Sequence, residues 1–153
     1  MSFSLDDDKG VIKVVVSKDS AVGCTPEEHK SYLEDLNEEK LNLKSEPTRF
    51  VLRKNLDYKA NQVLFRSQGR VVKGQMKTDI ASFLTEIRLY LIGVENPSSL
   101  PESQHIVFKR DTDGYANKEL VAKLQNYGVL MELVLAVKYS KGDLNADALT
   151  KKS

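Results

Sequence analysis

The side chain in this sequence with the clearest potential as a nucleophile is its single cysteine, Cys24. A thiolate needs a nearby base, for which the sequence offers His29 and His105. Cys24 stands just before a predicted helix start, a position at which the helix dipole lowers a thiol pKa. However, no signature of a cysteine enzyme flanks it, and an isolated cysteine is more often a small buried residue. We therefore favour a structural role.

Phosphate and metal chemistry also lack a complete motif. Gly69 and Gly74 have the spacing of a phosphate-binding loop, but Gln75 and Met76 follow where Lys and Ser or Thr are required. The run DTDG at 111–114 starts like a calcium loop without its closing acid, so we interpret it as a turn. Two histidines cannot supply a zinc site alone. We predict a noncatalytic protein with no cofactor, no bound metal and no small-molecule substrate.

Charge is distributed unevenly along the chain. Residues 1–46 carry eleven acids and six bases, residues 47–77 carry eight bases and one acid, and the remainder carries ten acids and nine bases. The net charges of the three parts are therefore −5, +7 and −1. A basic segment of this kind attracts a polyanion, but it can equally neutralise an acidic neighbour in the same fold.

Aromatic residues accompany the basic segment, since Phe50, Tyr58 and Phe65 lie within it. Phosphate contacts combined with base stacking would make it a nucleic-acid-binding module, which is our alternative hypothesis. The other interpretation is a solvated surface that balances the acidic helix after Pro26. The basic candidates for partner binding are Arg49, Arg53, Arg66, Arg70, Lys73 and Lys77.

Three segments have the pattern of strands. VIKVVV at 11–16 is β-branched and predicts a mostly buried strand. Residues 49–53 alternate as in a half-exposed strand, with Phe50 and Leu52 on one face. HIVFKR at 105–110 predicts a short strand before the DTDG turn.

Five segments have the apolar spacing of helices. The first starts at Pro26 with a Thr25–Glu28 capping box, and the second follows an Asn55 cap as far as Gly69. The third covers 75–92 with a stop at Gly93. The fourth follows an Asn117 cap, and the fifth follows Gly128. In the 75–92 helix, we place Ile80 and Leu91 on the buried face and Glu86 away from it.

The last predicted helix, within VLMELVLAVKYS, is apolar nearly all round, which is typical of a helix central to a core or to an interface. The candidates for an apolar partner surface are Leu130, Met131, Leu133, Val134 and Leu135. Complementary charge would frame such a surface. The simpler interpretation is that most of these side chains fill the core.

Length and composition favour one globular domain, because 153 residues with 41% hydrophobic and 29% charged content are ordinary for a soluble protein. We predict a mostly helical α+β domain over residues 11–142, with a small sheet or a few short strands. A flexible acidic N-terminus (1–10) precedes it and a polar tail (143–153) follows. One cysteine, no signal peptide and no uninterrupted apolar span of about 20 residues favour a cytoplasmic protein without a membrane partner.

The order of the predicted elements carries a family resemblance. The phrase PTRFVLR at 47–53 is followed by a helix, a long helix ending in IGVEN, a loop with a short IVF strand, two closing helices and a Lys-Ser tail. This order, closest over residues 46–66, resembles small tailed-bacteriophage morphogenesis proteins, particularly tail assembly chaperones. The resemblance implies a noncatalytic adaptor in the host cytoplasm or the virion. Such an adaptor binds a hydrophobic tape-measure chain, other phage structural proteins or its own copies. A phage structural component of another kind fits nearly as well.

Overall fold

The computed structural model of the chain describes residues 10–68, 80–100 and 106–142. These ranges hold five α-helices, two 3₁₀ helices and one three-stranded sheet, which confirms the predicted α+β fold. The helices are α1 (Pro26–Asp35), α2 (Tyr58–Gln68), α3 (Ile80–Tyr90), α4 (Lys118–Asn126) and α5 (Leu130–Ser140). The strands are β1 (Val11–Val14), β2 (Arg49–Arg53) and β3 (Leu91–Glu95), and the 3₁₀ helices are Glu38–Leu41 and Pro97–Ser99. The predicted N-terminal segment, apart from residue 10, and the predicted tail lie outside the described residues.

The sheet is antiparallel, with β2 between β1 and β3. Phe50 lies between Val14 and Val94, and both Phe50 and Leu52 are fully buried. The alternate residues of β2 stay half-buried on the opposite face. The alternation predicted for this strand is therefore confirmed, and one face of the sheet forms part of the hydrophobic core.

The predicted strand at 11–16 is shorter than expected, because β1 ends at Val14. Val15 and Val16 leave the ladder but stay fully buried. The Val15 amide donates to the Tyr32 hydroxyl at 2.9 Å, and the same hydroxyl donates to the Lys13 carbonyl at 3.4 Å. Burial raises the pKa of the Tyr32 hydroxyl, which keeps it protonated as a donor. The Tyr32 side chain of α1 therefore bonds backbone groups where β1 ends.

The capping box of α1 is confirmed. The Glu28 amide donates to Thr25 Oγ1 at 3.2 Å, and the Thr25 amide donates to Glu28 Oε1 at 2.9 Å. Pro26 occupies the first turn, as predicted. The helix buries His29, Tyr32 and Leu33 and packs against α5.

A buried carboxylate holds the loop between β1 and α1 in place. Asp19 is 2% exposed and accepts hydrogen bonds from the Thr48 amide at 2.7 Å and the Ala21 amide at 2.9 Å. It also accepts a hydrogen bond from the Ser99 hydroxyl. One side chain thus joins the loop, the entry to β2 and the second 3₁₀ helix.

The helix predicted over 75–92 is wrong at its C-terminal end. Helix α3 ends at Tyr90, and the chain continues as β3, with Gly93 opposite Val51 rather than at a helix stop. Residues 75–79 lie outside the described part. Pairing with β2 supplies ladder hydrogen bonds and buries Leu91, so tertiary contacts override the helical apolar spacing.

The face predicted for α3 is also wrong at two positions. Ile80 is 51% exposed, whereas Glu86 is 4% exposed. The reason is that α3 packs against α2, α4 and α5, so more than one stripe of its surface is covered. A hydrophobic stripe read from the sequence assumes a single buried face.

The strand predicted within HIVFKR does not form over the described residues 106–110. Arg110 makes only an isolated bridge with Ala116. The DTDG turn between them is confirmed, since the Gly114 amide donates to the Asp111 carbonyl at 2.9 Å. Gly114 has a φ of +89°, a conformation that favours glycine. Beside the turn, the Asp111 amide donates to the Tyr115 carbonyl at 2.8 Å and the Asn117 amide to the Lys109 carbonyl at 2.9 Å. The pairing goes no further because Asn117 caps α4, which begins at Lys118.

The two closing helices are confirmed. The Leu120 amide donates to Asn117 Oδ1 at 3.1 Å, which caps α4 as predicted. Gly128, with a φ of +74°, lies between α4 and α5. Helix α5 packs against α1, α3, α4 and β1, so it lies at the centre of the core.

Candidate functional site

Helix α2 carries two strongly exposed aromatic side chains. Tyr58 and Phe65 are each 77% exposed, the highest values among the large hydrophobic residues that the structure describes. Their spacing of seven places both on one face of the helix, two turns apart. Ala60 and Leu64 are buried on the opposite face. Since that opposite face already anchors the helix, the two rings are not required for the core.

The start of α2 differs from the prediction. The Ala60 amide donates to Asp57 Oδ1 at 2.8 Å, and the Asn61 amide donates to the Asp57 carbonyl at 2.9 Å. Asp57, not Asn55, therefore caps the helix. Both residue types cap well, so the sequence alone did not distinguish between them.

We call Tyr58, Gln62, Phe65 and Arg66 the α2 ridge. Gln62 Nε2 donates to the Tyr58 hydroxyl at 2.8 Å, and these residues line an open depression of about 440 Å³. Helix α2 contains Lys59 and Arg66 but no acid. Arg66 is exposed and makes no ion pair with any residue that the structure describes. The ridge thus presents two rings and a free cation, a combination suited to an apolar surface that carries negative charge.

Arg49, another basic candidate, is engaged inside the protein. Its Nε lies 2.8 Å and its Nη2 2.7 Å from the two Glu38 carboxylate oxygens, and Nη1 donates to Glu46. This bidentate pair lowers the pKa of Glu38 and raises that of Arg49. For Arg49, the interpretation of charge balancing within the fold therefore holds.

We predict that Arg49→Met lowers the free energy of unfolding by about 1–2 kcal/mol at pH 7, because it removes a partly buried ion pair. Since the folded-state pKa of Glu38 lies below its ordinary value of 4.5, this stabilisation is full above pH 4.5 and is lost as the pH falls through the folded-state pKa. Urea denaturation at pH 7 and about pH 3 should show the difference shrinking. Lys54→Met, at an exposed position, is the control. An equal loss at both pH values would contradict the prediction.

The other basic candidates are distributed over separate elements. Arg53 is half-buried on the sheet face opposite the core, and Arg66 is exposed on α2. Arg70, Lys73 and Lys77 lie outside the described residues. The structure therefore brings no described pair of these cations together on one element except Arg49 and Arg53 on β2.

The apolar candidates on α5 are mostly core residues. Leu130, Leu133 and Val134 are buried at 3%, 0% and 1% exposure, and Leu135 is partly buried against the core. Met131 alone among the five is strongly exposed, at 46%. The arrangement agrees with the interpretation that most of these side chains fill the core.

The environment of Cys24 does not activate its thiol. Burial and the charge of Glu28 raise the pKa of Cys24, opposite to the lowering expected from a helix N-terminus. His29 is buried, with Nε2 hydrogen-bonded to the Val15 carbonyl at 2.9 Å. His105, the other candidate base, lies outside the described residues.

Sequence reasoning missed a serine, histidine and glutamate group at the start of α5. Glu132 Oε2 accepts from the Ser17 hydroxyl at 2.5 Å, and Oε1 accepts from the Ser17 amide at 2.8 Å. His29 Nε2 lies 3.7 Å from Glu132 Oε1. A relay that activates a serine needs the imidazole between hydroxyl and carboxylate, whereas here the carboxylate contacts the serine directly. The group ties the loop after β1 to α5.

The DTDG turn is held by an arginine. Arg88 donates to Asp111 at 3.1 Å, to Asp113 at 2.5 Å and to the Ala116 carbonyl at 2.8 Å. Arg88 lowers the pKa of Asp113. Among the described residues, no group of three or more His, Cys, Asp or Glu side chains is placed to hold a metal.

The α2 ridge was only partly visible in the sequence. Tyr58 and Phe65 were noted as companions of the basic segment, not as a surface. The signal that would have identified the ridge is helical spacing, because positions 58, 62 and 65 share one side of a helix while 60 and 64 share the other.

Helix length and comparison with known proteins give no further assignment. In the ranges described, no single helix is both long enough and apolar enough to cross a membrane. Helices α4 and α5 meet the two criteria only when they are taken together, and this pair is bent by 103°. The chain matches no protein-family model, no curated protein and no solved structure. The resemblance of residues 46–66 to phage tail assembly chaperones stays a prediction.

Proposed function

We propose that this chain is a noncatalytic interaction protein that binds a partner protein through the α2 ridge. We further propose that this binding serves bacteriophage virion or tail assembly in the host cytoplasm. The observation that carries the first proposal is the 77% exposure of both Tyr58 and Phe65 on the helix face turned away from the core. Exposed large apolar side chains grouped on one surface are typical of sites that are covered by a partner.

The ridge has the composition of a binding hot spot. Aromatic side chains and arginine are the residues that contribute most strongly to protein interfaces. Asn61 and Gln62, exposed beside the rings, supply a polar rim. Anchors at positions i and i+7 on one face are typical of a helix that docks into an apolar groove of its partner.

The role in phage assembly rests on the family resemblance, with which the ridge is compatible. An assembly adaptor must bind an apolar chain reversibly and needs no reaction centre. Exposed aromatic anchors on a helix supported by its own core meet that requirement without any change in the fold.

Co-expression with the tape-measure and other virion proteins of a tailed phage tests the proposal. The wild-type chain should copurify with one of them, and the double variant Tyr58→Ala, Phe65→Ala should weaken that complex by at least about 30-fold. The matched control is Val107→Ala, which truncates a 73% exposed apolar side chain outside α2. A complex that survives the double variant would remove the ridge from the proposal, and capture of no virion protein would remove the assembly role.

A nucleic-acid-binding module is the second candidate, and the same ridge favours it, because its rings accompany Lys59 and Arg66 without an acid. The commitment of Arg49 to Glu38 and Glu46 reduces the cations available for phosphates. Fluorescence anisotropy with a single-stranded oligonucleotide at low salt separates the two candidates. Binding that weakens with salt and after neutralising Arg66, Arg70 and Lys73 would favour nucleic acid over a protein partner.

A further inference from the structure

The outer edge of β1 carries backbone groups that the sheet leaves unpaired. The Lys54 amide donates to the Gly10 carbonyl at 2.8 Å, so these two residues form a hydrogen-bonded pair of the antiparallel ladder. Such pairs alternate along a ladder, and Val11 and Lys13 therefore turn their backbone groups away from β2. The hydrogen bond from the Tyr32 hydroxyl to the Lys13 carbonyl agrees with this direction. The Val11 amide, the Val11 carbonyl and the Lys13 amide have no partner among the described residues.

An open groove of about 440 Å³ runs along this edge, between β1 and the helices α1 and α5. Residues 11–13 form its backbone wall, and most of its other lining is polar. Leu33 and Ala136 also line it, but both are buried. The groove therefore offers little to a large apolar side chain. An extended backbone, in contrast, can bond the three unpaired groups, as a strand that is added to a sheet edge does.

The chain leaves α5 beside this groove. Glu132, in the first turn of α5, bonds Ser17 beyond the C-terminal end of β1. Ser140, the last residue of α5, lines the groove together with Val11. Helix α5 thus runs antiparallel to β1. Gly142 has a φ of +78°, the left-handed conformation in which a helix ends and the chain changes direction. A segment that continues from Gly142 along the edge therefore runs parallel to β1.

The sequence that follows Gly142 has the pattern of a half-buried strand. Leu144, Ala146 and Ala148 alternate with Asn145 and Asp147. Two of the three apolar side chains in this run are those of alanine. Small side chains suit a groove whose own apolar residues are already buried.

Charge favours the same segment. Residues 143–148 contain two aspartates and no cation, whereas Lys13 and Lys54 line the groove and are exposed. Lys13 pairs with Glu95 at 3.0 Å, but both side chains are 46% exposed, so water competes strongly with this pair. Two of the three acids in the lining, Asp35 and Glu38, are already paired with cations. An acidic strand on this edge therefore finds cations beside it.

We propose that residues 144–148 add to the free edge of β1 as a parallel strand and so close this edge against pairing with other chains. The shortest connection from α5 places Asn145 opposite Val11. In this register the Leu144 carbonyl accepts from the Val11 amide, and the Ala146 amide donates to the Val11 carbonyl. The Ala146 carbonyl accepts from the Lys13 amide.

The same register places Asp147 opposite Lys13, an attractive pair across two neighbouring strands. The polar members of the segment then share the sheet face of Lys13, and its apolar members face α1 and α5. This inference goes beyond the proposed function, because it concerns β1 and not the α2 ridge.

Amide hydrogen exchange of the full chain, followed residue by residue by NMR, tests the added strand. In the wild type, the Val11 and Lys13 amides should exchange at least about tenfold more slowly than unprotected amides. Ala146→Pro removes the central donor of the strand and cannot fit a regular ladder, so both amides should then exchange at least about tenfold faster. Thr150→Pro, beyond the alternating run, is the matched control. The Ile12 amide, which faces β2, should stay protected in every variant.

Protection at Val11 and Lys13 that is independent of protein concentration, lost in Ala146→Pro and kept in Thr150→Pro would support the inference. Free exchange of both amides in the wild type, or protection that survives Ala146→Pro, would overturn it. Protection that rises with protein concentration would assign the strand to a second copy and overturn the contact within one chain. Protection that appears only when another protein is added would assign the edge to that partner and overturn it as well.

Discussion

Asp19→Ala should lower the free energy of unfolding by about 3–5 kcal/mol, because it removes a carboxylate that accepts hydrogen bonds from three donors. The side chain is 2% exposed and binds the amides of Ala21 and Thr48, both of which are fully buried, and the hydroxyl of Ser99. Water cannot replace the carboxylate at the two amides without opening the loop after β1. Equilibrium urea denaturation measures the loss.

Two further variants separate the contributions of the individual hydrogen bonds. Ser99→Ala removes one donor and leaves the carboxylate with its two amides, so we expect a loss of about 1 kcal/mol. Asp19→Asn keeps the shape and one carbonyl oxygen, but its amide group faces a donor, so its effect should lie between the other two. If Asp19→Ala cost no more than Ser99→Ala, the loop would not depend on this carboxylate.

Leu133→Ala should lower the free energy of unfolding by about 3–5 kcal/mol, because it leaves a cavity at the centre of the core. Leu133 is fully buried on α5, which packs against three helices and β1. A well-packed position of this kind cannot collapse around the missing atoms without moving several elements. Thermal and urea denaturation both report the change.

The matched control is Met131→Ala on the same helix, where the side chain is 46% exposed. We expect a change below about 1 kcal/mol, because little buried contact is lost. The pair separates two interpretations of the apolar helix. Equal, small losses at both positions would contradict the placement of Leu133 in the core.

Several elements followed from the sequence because their signals are local. The Thr25–Glu28 capping box and the Asn117 cap depend on side chains that bond backbone groups three residues away. The alternation of β2 depends on the period of two in an extended chain. The α+β class followed from counting such segments. These features involve neighbouring residues, so no knowledge of the rest of the fold was needed.

Other features were decided by residues far apart in the chain. Leu91 continues the helical apolar spacing of the predicted 75–92 helix but lies in β3, because β2 offers a partner for its backbone. Glu86 is buried because α3 is covered on several sides. For such residues, packing and pairing energies exceed local preference.

For the candidate site, the sequence determined the charges and the presence of two aromatic residues in the basic segment. It did not determine where those charges face. Only the tertiary structure paired Arg49 with Glu38, left Arg66 exposed and turned Tyr58 and Phe65 away from the core. The physical reason is that exposure is set by which faces other elements cover, and that coverage depends on contacts between distant segments.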